Sequence, residues 1–152
     1  MGGWVNVMRT VRVAIYINTK VKHSAIIESM VLKCKDKVAE LLSSENLRYK
    51  VYKDDGRRGV GFNKMLDDID NNLVMVVVTT ELGRIATSAE DVFYFIRRLY
   101  EKRVRLLCAD DSCIDTADNN FLKYKYNFLR QLACIEYMGR KEKNNKNMIS
   151  TK

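Results

Sequence analysis

The chain has 152 residues, 27 of them Lys or Arg and 19 Asp or Glu, for a formal charge of +8. With 47% apolar and 30% charged residues it is globular rather than disordered, long enough for one domain with a real core and too short for two of ordinary size. No apolar run approaches a membrane span, and the first residues lack the basic start and apolar core of a signal peptide, so a soluble, cytoplasmic protein without membrane contact is expected.

The charge suits a polyanionic partner, because each phosphate neutralised by Lys or Arg releases condensed counterions; a merely soluble basic surface would carry it equally well. There is no proline, which leaves the turns to Gly, Asn and Asp. Cys34, Cys108, Cys113 and Cys134 show no zinc-type spacing, and three of them sit in apolar patterns that predict buried free thiols in a reducing compartment. His23 is the only histidine. That excludes a multi-histidine metal site and a triad with a spare base, and His23 reads as a solvated loop residue.

Residues 1–10 form an unassigned N-terminal arm. Val11 to Ile17 is apolar and β-branched, which predicts the first strand; after the loop from Asn18 to Ser24, the spacing of Ile27, Met30, Val31, Cys34, Val38 and Leu41 predicts a long helix. Tyr49 to Lys53 reads as the second strand. It runs into Asp54-Asp55-Gly56-Arg57-Arg58-Gly59-Val60-Gly61, whose glycine order is neither a dinucleotide fingerprint nor a P-loop and is taken as turn chemistry. Phe62, Met65, Leu66 and Ile69 mark a short helix, and Asn71-Asn72 a turn.

Val74 to Val78 is unbroken and β-branched, the pattern of a central strand buried on both faces. Behind it, Ala89, Val92, Phe93, Ile96, Leu99 and Tyr100 recur at helical spacing after the N-cap candidate Ser88, and Arg105 to Cys108 is the next strand. Strand, loop, helix and strand make a βαβ unit whose functional residues belong in the loop beyond the strand's carboxyl end, where Glu81 and Arg84 lie. A last helix from about Asn120 past Tyr137 carries Phe121, Tyr124, Phe128, Leu129, Leu132 and Ile135, and residues 140–152 read as a disordered basic tail. The fold expected is α/β: a mostly parallel four- or five-stranded sheet flanked by helices, with a long C-terminal helix.

Several of these stretches resemble serine recombinases of the resolvase and invertase family. Glu81-Leu82-Gly83-Arg84-Ile85-Ala86-Thr87 resembles that family's D-L-S-R-L-G-R loop, and Arg103-Val104-Arg105-Leu106 its following strand. Ala14-Ile15-Tyr16-Ile17 matches the start of A-I-Y-x-R-V-S-T, Asp54-Asp55-Gly56 its D-D-G, and Asp115-Thr116 its D-T. The resemblance implies a resolvase-like catalytic-type domain over residues 11–139, acting on DNA without metal or cofactor: a serine hydroxyl attacks a phosphodiester while arginines neutralise the transition state.

Carried over by position, Arg84 falls on the first catalytic arginine and Glu81 on its acidic residue, while the second arginine position is Thr87. The family's arginine near Gly59 is to be supplied by Arg57 or Arg58. No serine occupies the nucleophile position. Aligned without gaps, Asn18 takes the arginine's place and Lys20 the serine's; with a deletion of two residues, Asn18 takes the serine's. Thr19 is the candidate atypical nucleophile, set against an ordinary loop role, and Ser24 a more distant hydroxyl set against a role as helix cap.

Lys20 is an expected DNA contact, as are Arg140, Lys141 and Lys143 unless the tail is simply solvated. In the family the last helix pairs subunits, which assigns Phe121, Tyr124, Phe128 and Leu132 to a homodimer or a recombinase partner; the separate DNA-binding domain found beyond it in the family is not expected here. The reading is a degenerate strand-exchange domain that binds DNA or associates with a recombinase. Its alternatives are an active fragment with an atypical nucleophile, and a Mg-dependent phosphoryl-transfer domain built on Asp54-Asp55 and Asp110-Asp111, for which no third ligand is recognisable.

Overall fold

A strand as uniformly apolar as Val76-Val77-Val78 needs cover on both faces, and the computed structural model, which describes residues 9–150, supplies it. Strands β1 (Thr10–Asn18), β2 (Asn46–Asp54), β3 (Val76–Thr79), β4 (Arg105–Cys108) and β5 (Asp111–Asp115) form one sheet in the order β2-β1-β3-β4-β5. The first four are mutually parallel and β5 runs antiparallel to β4. The helices are α1 (Ser24–Leu41), α2 (Val60–Asp70), α3 (Ala89–Glu101) and α4 (Tyr126–Ser150); a 3-10 turn spans Leu82–Arg84 and a π-helical stretch, Phe121–Lys125, leads into α4. The expected α/β architecture with a mostly parallel sheet is borne out. Most of the expected N-terminal arm lies outside the described residues.

The two faces of β1 are divided by its period of two. Val11, Val13, Ile15 and Ile17 pack with Cys34 and Val38 of α1 and with Val76, Val78 and Leu107. Ala14 and Tyr16 face the other way, into a larger core with Met65 and Ile69 of α2, Phe95, Ile96 and Leu99 of α3, and Phe121. Every connection within the parallel part therefore returns from the carboxyl edge of the sheet to its amino edge, leaving the loops after β1, β2 and β3 side by side at the carboxyl edge. Two small signals hold as expected: Ser88 caps α3, its Oγ accepting from Asp91 N at 3.2 Å, and Asn72 turns the chain with φ 60°.

Five details correct the sequence reading. Asp111–Asp115 is an edge strand, invisible in its polar sequence because partners on β4 hold it: the Arg105 guanidinium meets Asp115 at 2.8 and 2.6 Å, and Leu106 N donates to Thr116 Oγ1 at 2.8 Å. Residues 140–150 continue α4 rather than forming a disordered tail, a stretch without Pro or Gly whose Arg140 pairs with Glu90 of α3. Ser24 is the first residue of α1 and does not cap it; His23 holds that position through its backbone. Cys34 and Cys108 are buried, but Cys113 and Cys134 are exposed.

The fifth correction concerns the apolar residues of the last helix, which form two stripes. Phe121 is 1% exposed and Tyr126, Leu129 and Ala133 also turn inward, so Phe121 belongs to the chain's own core and is not available to a partner. Tyr124, Phe128, Ile135 and Met138 recur at heptad-like spacing on the opposite side and are all exposed, while Leu132 lies half-buried at the border.

Candidate functional site

The loop after β2 is fixed by one carboxylate. Asp54, the last residue of that strand, accepts from Gly59 N at 3.0 Å, Gly61 N at 2.9 Å and Phe62 N at 2.9 Å, and from the Tyr16 hydroxyl at 2.7 Å. It thus satisfies the orphan N–H groups at the start of α2 and places a negative charge at that helix's N-terminus. Burial opposes its ionisation, but the four hydrogen bonds outweigh it and hold the carboxyl below the ordinary aspartate range. Burial, reinforced by the neighbouring carboxylate, pushes the Tyr16 phenol well above its usual value.

Two glycines make this arrangement possible. A Cβ at Gly61 would lie 2.2 Å from the Lys53 carbonyl oxygen, so only glycine lets the first turn of α2 approach the end of β2. Gly56 has φ +87°, and a Cβ there would lie 2.4 Å from Lys20 Cγ. The glycine-rich loop does cradle an anion, and that anion is the chain's own Asp54.

Held in this way, Arg57 and Arg58 project beside the loops after β1 and β3. A cleft of about 210 Å³ is lined by Asn18, Arg57, Arg58, Arg84, Thr87 and Asp91, among others; a neighbouring one of about 280 Å³ is lined by Asn18, Thr19, Lys20 and Arg84. Arg84 is oriented from two sides: its Nη1 donates to the Asn18 carbonyl at 3.3 Å, and Glu81 Oε1 lies 3.2 Å from Nε, one 3-10 turn away. Arg58 stacks on the Phe62 ring at 4.8 Å and reaches Asp91 at 3.5 Å. Arg57 and Lys20 make no ion pair among the described residues. Cations from three loops thus share one edge of the sheet, an arrangement suited to a phosphate group.

Thr19 is buried, and its Oγ1 accepts from Val21 N at 3.1 Å, the local hydrogen bond of an ordinary turn. Ser24 is exposed at the start of α1. Three of the four carboxylates in the acidic pairs are engaged elsewhere, Asp54 by α2, Asp110 by Lys33 at 3.7 Å and Asp111 by Cys113 N at 3.0 Å, while Asp55 is exposed. Among the described residues, no group of three or more His, Cys, Asp or Glu is placed to hold a metal, and no helix is long and apolar enough to cross a membrane. Arg140, Lys141 and Lys143 lie exposed on α4, Arg140 being tied to Glu90 at the start of α3.

The family profile described as "Resolvase, N terminal domain" matches residues 29–151, most of the chain. The chain belongs to this family of serine recombinase catalytic domains. Solved structures of similar fold include a resolvase family site-specific recombinase from Streptococcus pneumoniae (TM-score 0.72, 24% identity, covering 92% of this chain and 97% of that one). The N-terminal catalytic domain of TP901-1 integrase is also similar (TM-score 0.65, 22% identity, 87% and 98%). So is the C-terminal catalytic domain of ISC1926 TnpA, an IS607-like serine recombinase (TM-score 0.55, 14% identity, 85% and 99%). Comparison with curated proteins yields no match.

Within the resolvase fold, three participants at this edge escaped the sequence reading. Asp54 was visible as one of an acidic pair, but its capping of α2 depends on Gly59 and Gly61 folding back, which no periodicity announces. Asp91 reads as an ordinary first-turn acid of α3, and only the bend of the β2 loop brings Arg58 to it. Asn18 was noted for what it replaces, whereas its contacts cross to a residue 66 positions away in the chain.

Proposed function

We propose that this resolvase-family domain binds DNA at the carboxyl edge of its sheet, with Arg84, Arg57, Arg58 and Lys20 taking a backbone phosphate, and that it does not cleave the strand. The observation that carries this reading is the convergence of three arginines on one cleft beside a loop, Asn18-Thr19-Lys20, that contains no serine. Glu81 orients Arg84 in this reading. Thr19 is a structural hydroxyl engaged with Val21 rather than a nucleophile. The domain takes up residues 11–139, α4 extends it with Arg140, Lys141 and Lys143 along the DNA, and the outer stripe of α4 pairs it with a second copy.

Incubation with nicked or mismatched suicide substrates should trap no covalent protein–DNA adduct. An adduct mapped to Thr19 or Ser24 by mass spectrometry would overturn the non-cleaving reading and restore an atypical nucleophile. Arg84→Ala should weaken binding to duplex DNA and reduce the slope of log affinity against log salt by about 1, the contribution of one neutralised phosphate. An unchanged slope would remove Arg84 from the interface and leave the phosphate contact to α4.

A further inference from the structure

Asn18 and Asp54 end adjacent strands and are direct register partners. Asp54 fixes the loop that carries Arg57 and Arg58. Asn18 stands in the same relation to the loop that carries Arg84: its Nδ2 donates to the Arg84 carbonyl at 3.1 Å, while its own carbonyl accepts from Arg84 Nη1 at 3.3 Å. The two residues therefore bond reciprocally, main chain and side chain each holding the other. The orientation of the amide follows from its partner, since the flipped form would set Oδ1 against the carbonyl oxygen.

The contact has a visible cost. Asn18 is 7% exposed, and its Oδ1 is buried without a hydrogen-bond partner among the described residues. An apolar side chain here would remove the orphaned Oδ1 but would also take away the donor to the Arg84 carbonyl. Arg84 Nε is likewise buried without an aligned acceptor, although the Glu81 carboxylate is near. Asn18 also lines both basic clefts, so the amide sits where the Arg84 loop meets the end of β1.

We propose that Asn18 is a positioning residue for Arg84: by clamping the 3-10 turn through the Arg84 carbonyl, it sets the guanidinium in the anion cleft. The inference rests on the reading that Arg84 contacts DNA phosphate, and it assigns this chain's residue at the end of β1 a task of orientation. Asn18→Ala removes the donor and the orphaned acceptor together; Asn18→Leu removes both while keeping nearly the same shape and adds no charge to the cleft.

Two measurements separate the clamp from the phosphate contact. In the DNA-free protein, the ¹⁵N order parameter of Arg84 Nε–H should be that of a held side chain in wild type and fall in both variants. In a double-mutant cycle read by duplex-DNA affinity, Asn18→Ala should cost about fivefold in the wild-type background and nothing in the Arg84→Ala background, as for residues acting through one another. An unchanged order parameter, or equal losses in both backgrounds, would overturn the clamp, and the uncharged, similarly sized Asn18→Leu supplies the same comparison if Asn18→Ala does not fold. If Arg84→Ala leaves DNA binding and its salt slope untouched, the phosphate reading falls, and the order parameter alone decides whether Asn18 holds Arg84.

Discussion

Asp54→Ala is expected to lower the stability of the domain by about 3 kcal/mol, a large loss for one residue that is not in the apolar core. The substitution strands three N–H groups at the start of α2 and the buried Tyr16 hydroxyl in a single step. It should also release the loop bearing Arg57 and Arg58, so DNA affinity should fall with stability. The pH dependence follows from the depressed carboxyl. In the unfolded chain Asp54 ionises near its ordinary value of about 4, so its contribution is complete above that pH and disappears as the pH falls through the lower, folded value. Asp68, Asp70 and Asp115 are depressed as well, each by bonds to basic or phenolic partners or by a local N–H. The informative quantity is therefore the difference between wild type and Asp54→Asn in urea unfolding midpoints, which should be large at pH 7 and narrow towards pH 2. Equal midpoints at pH 7 would show that the negative charge of Asp54 contributes nothing, since Asn keeps an acceptor oxygen for the same N–H groups.

How far the fold could be read depended on whether burial or pairing formed each element. Val11 to Ile17, Val76 to Thr79 and Arg105 to Cys108 are strands because both faces are covered, and a run of β-branched or apolar residues records that fact directly. β5 is a strand because Arg105 and Leu106 on its neighbour grip Asp115 and Thr116, and pairing of that kind leaves no periodic trace. The last helix carries two apolar stripes, so a simple inventory of its aromatic residues could not say that Phe121 turns inward and Phe128 outward. At the candidate site, Arg84 and Glu81 were legible because a βαβ unit fixes where a loop emerges. The partners that orient the cations were not, since Asn18, Asp54 and Asp91 act across loops that meet only in the folded sheet.

Phe128→Asp combined with Ile135→Asp is expected to turn a dimer into a monomer. Both side chains are more than half exposed, 60% and 67%, and lie with Met138 on the face of α4 opposite the stripe that packs inward, a face that Tyr124 continues on the π-helical stretch before it. Burial of a Phe or Ile side chain contributes about 1.5–3 kcal/mol, and in a two-fold interface every substitution is made on both sides. Two residues counted twice give roughly 6 kcal/mol, on the order of a 10⁴-fold weakening even before the cost of burying the new carboxylates. Because the stripe contributes nothing to the core of its own chain, the double variant should keep the helical circular dichroism of wild type while its sedimentation coefficient falls to that of the monomer. Leu132→Asp should behave differently: half-buried at the border between the stripes, it should cost stability within the chain as well as association. A wild-type chain that sediments as a monomer at high micromolar concentration would remove the homodimer and leave the outer stripe to a recombinase partner.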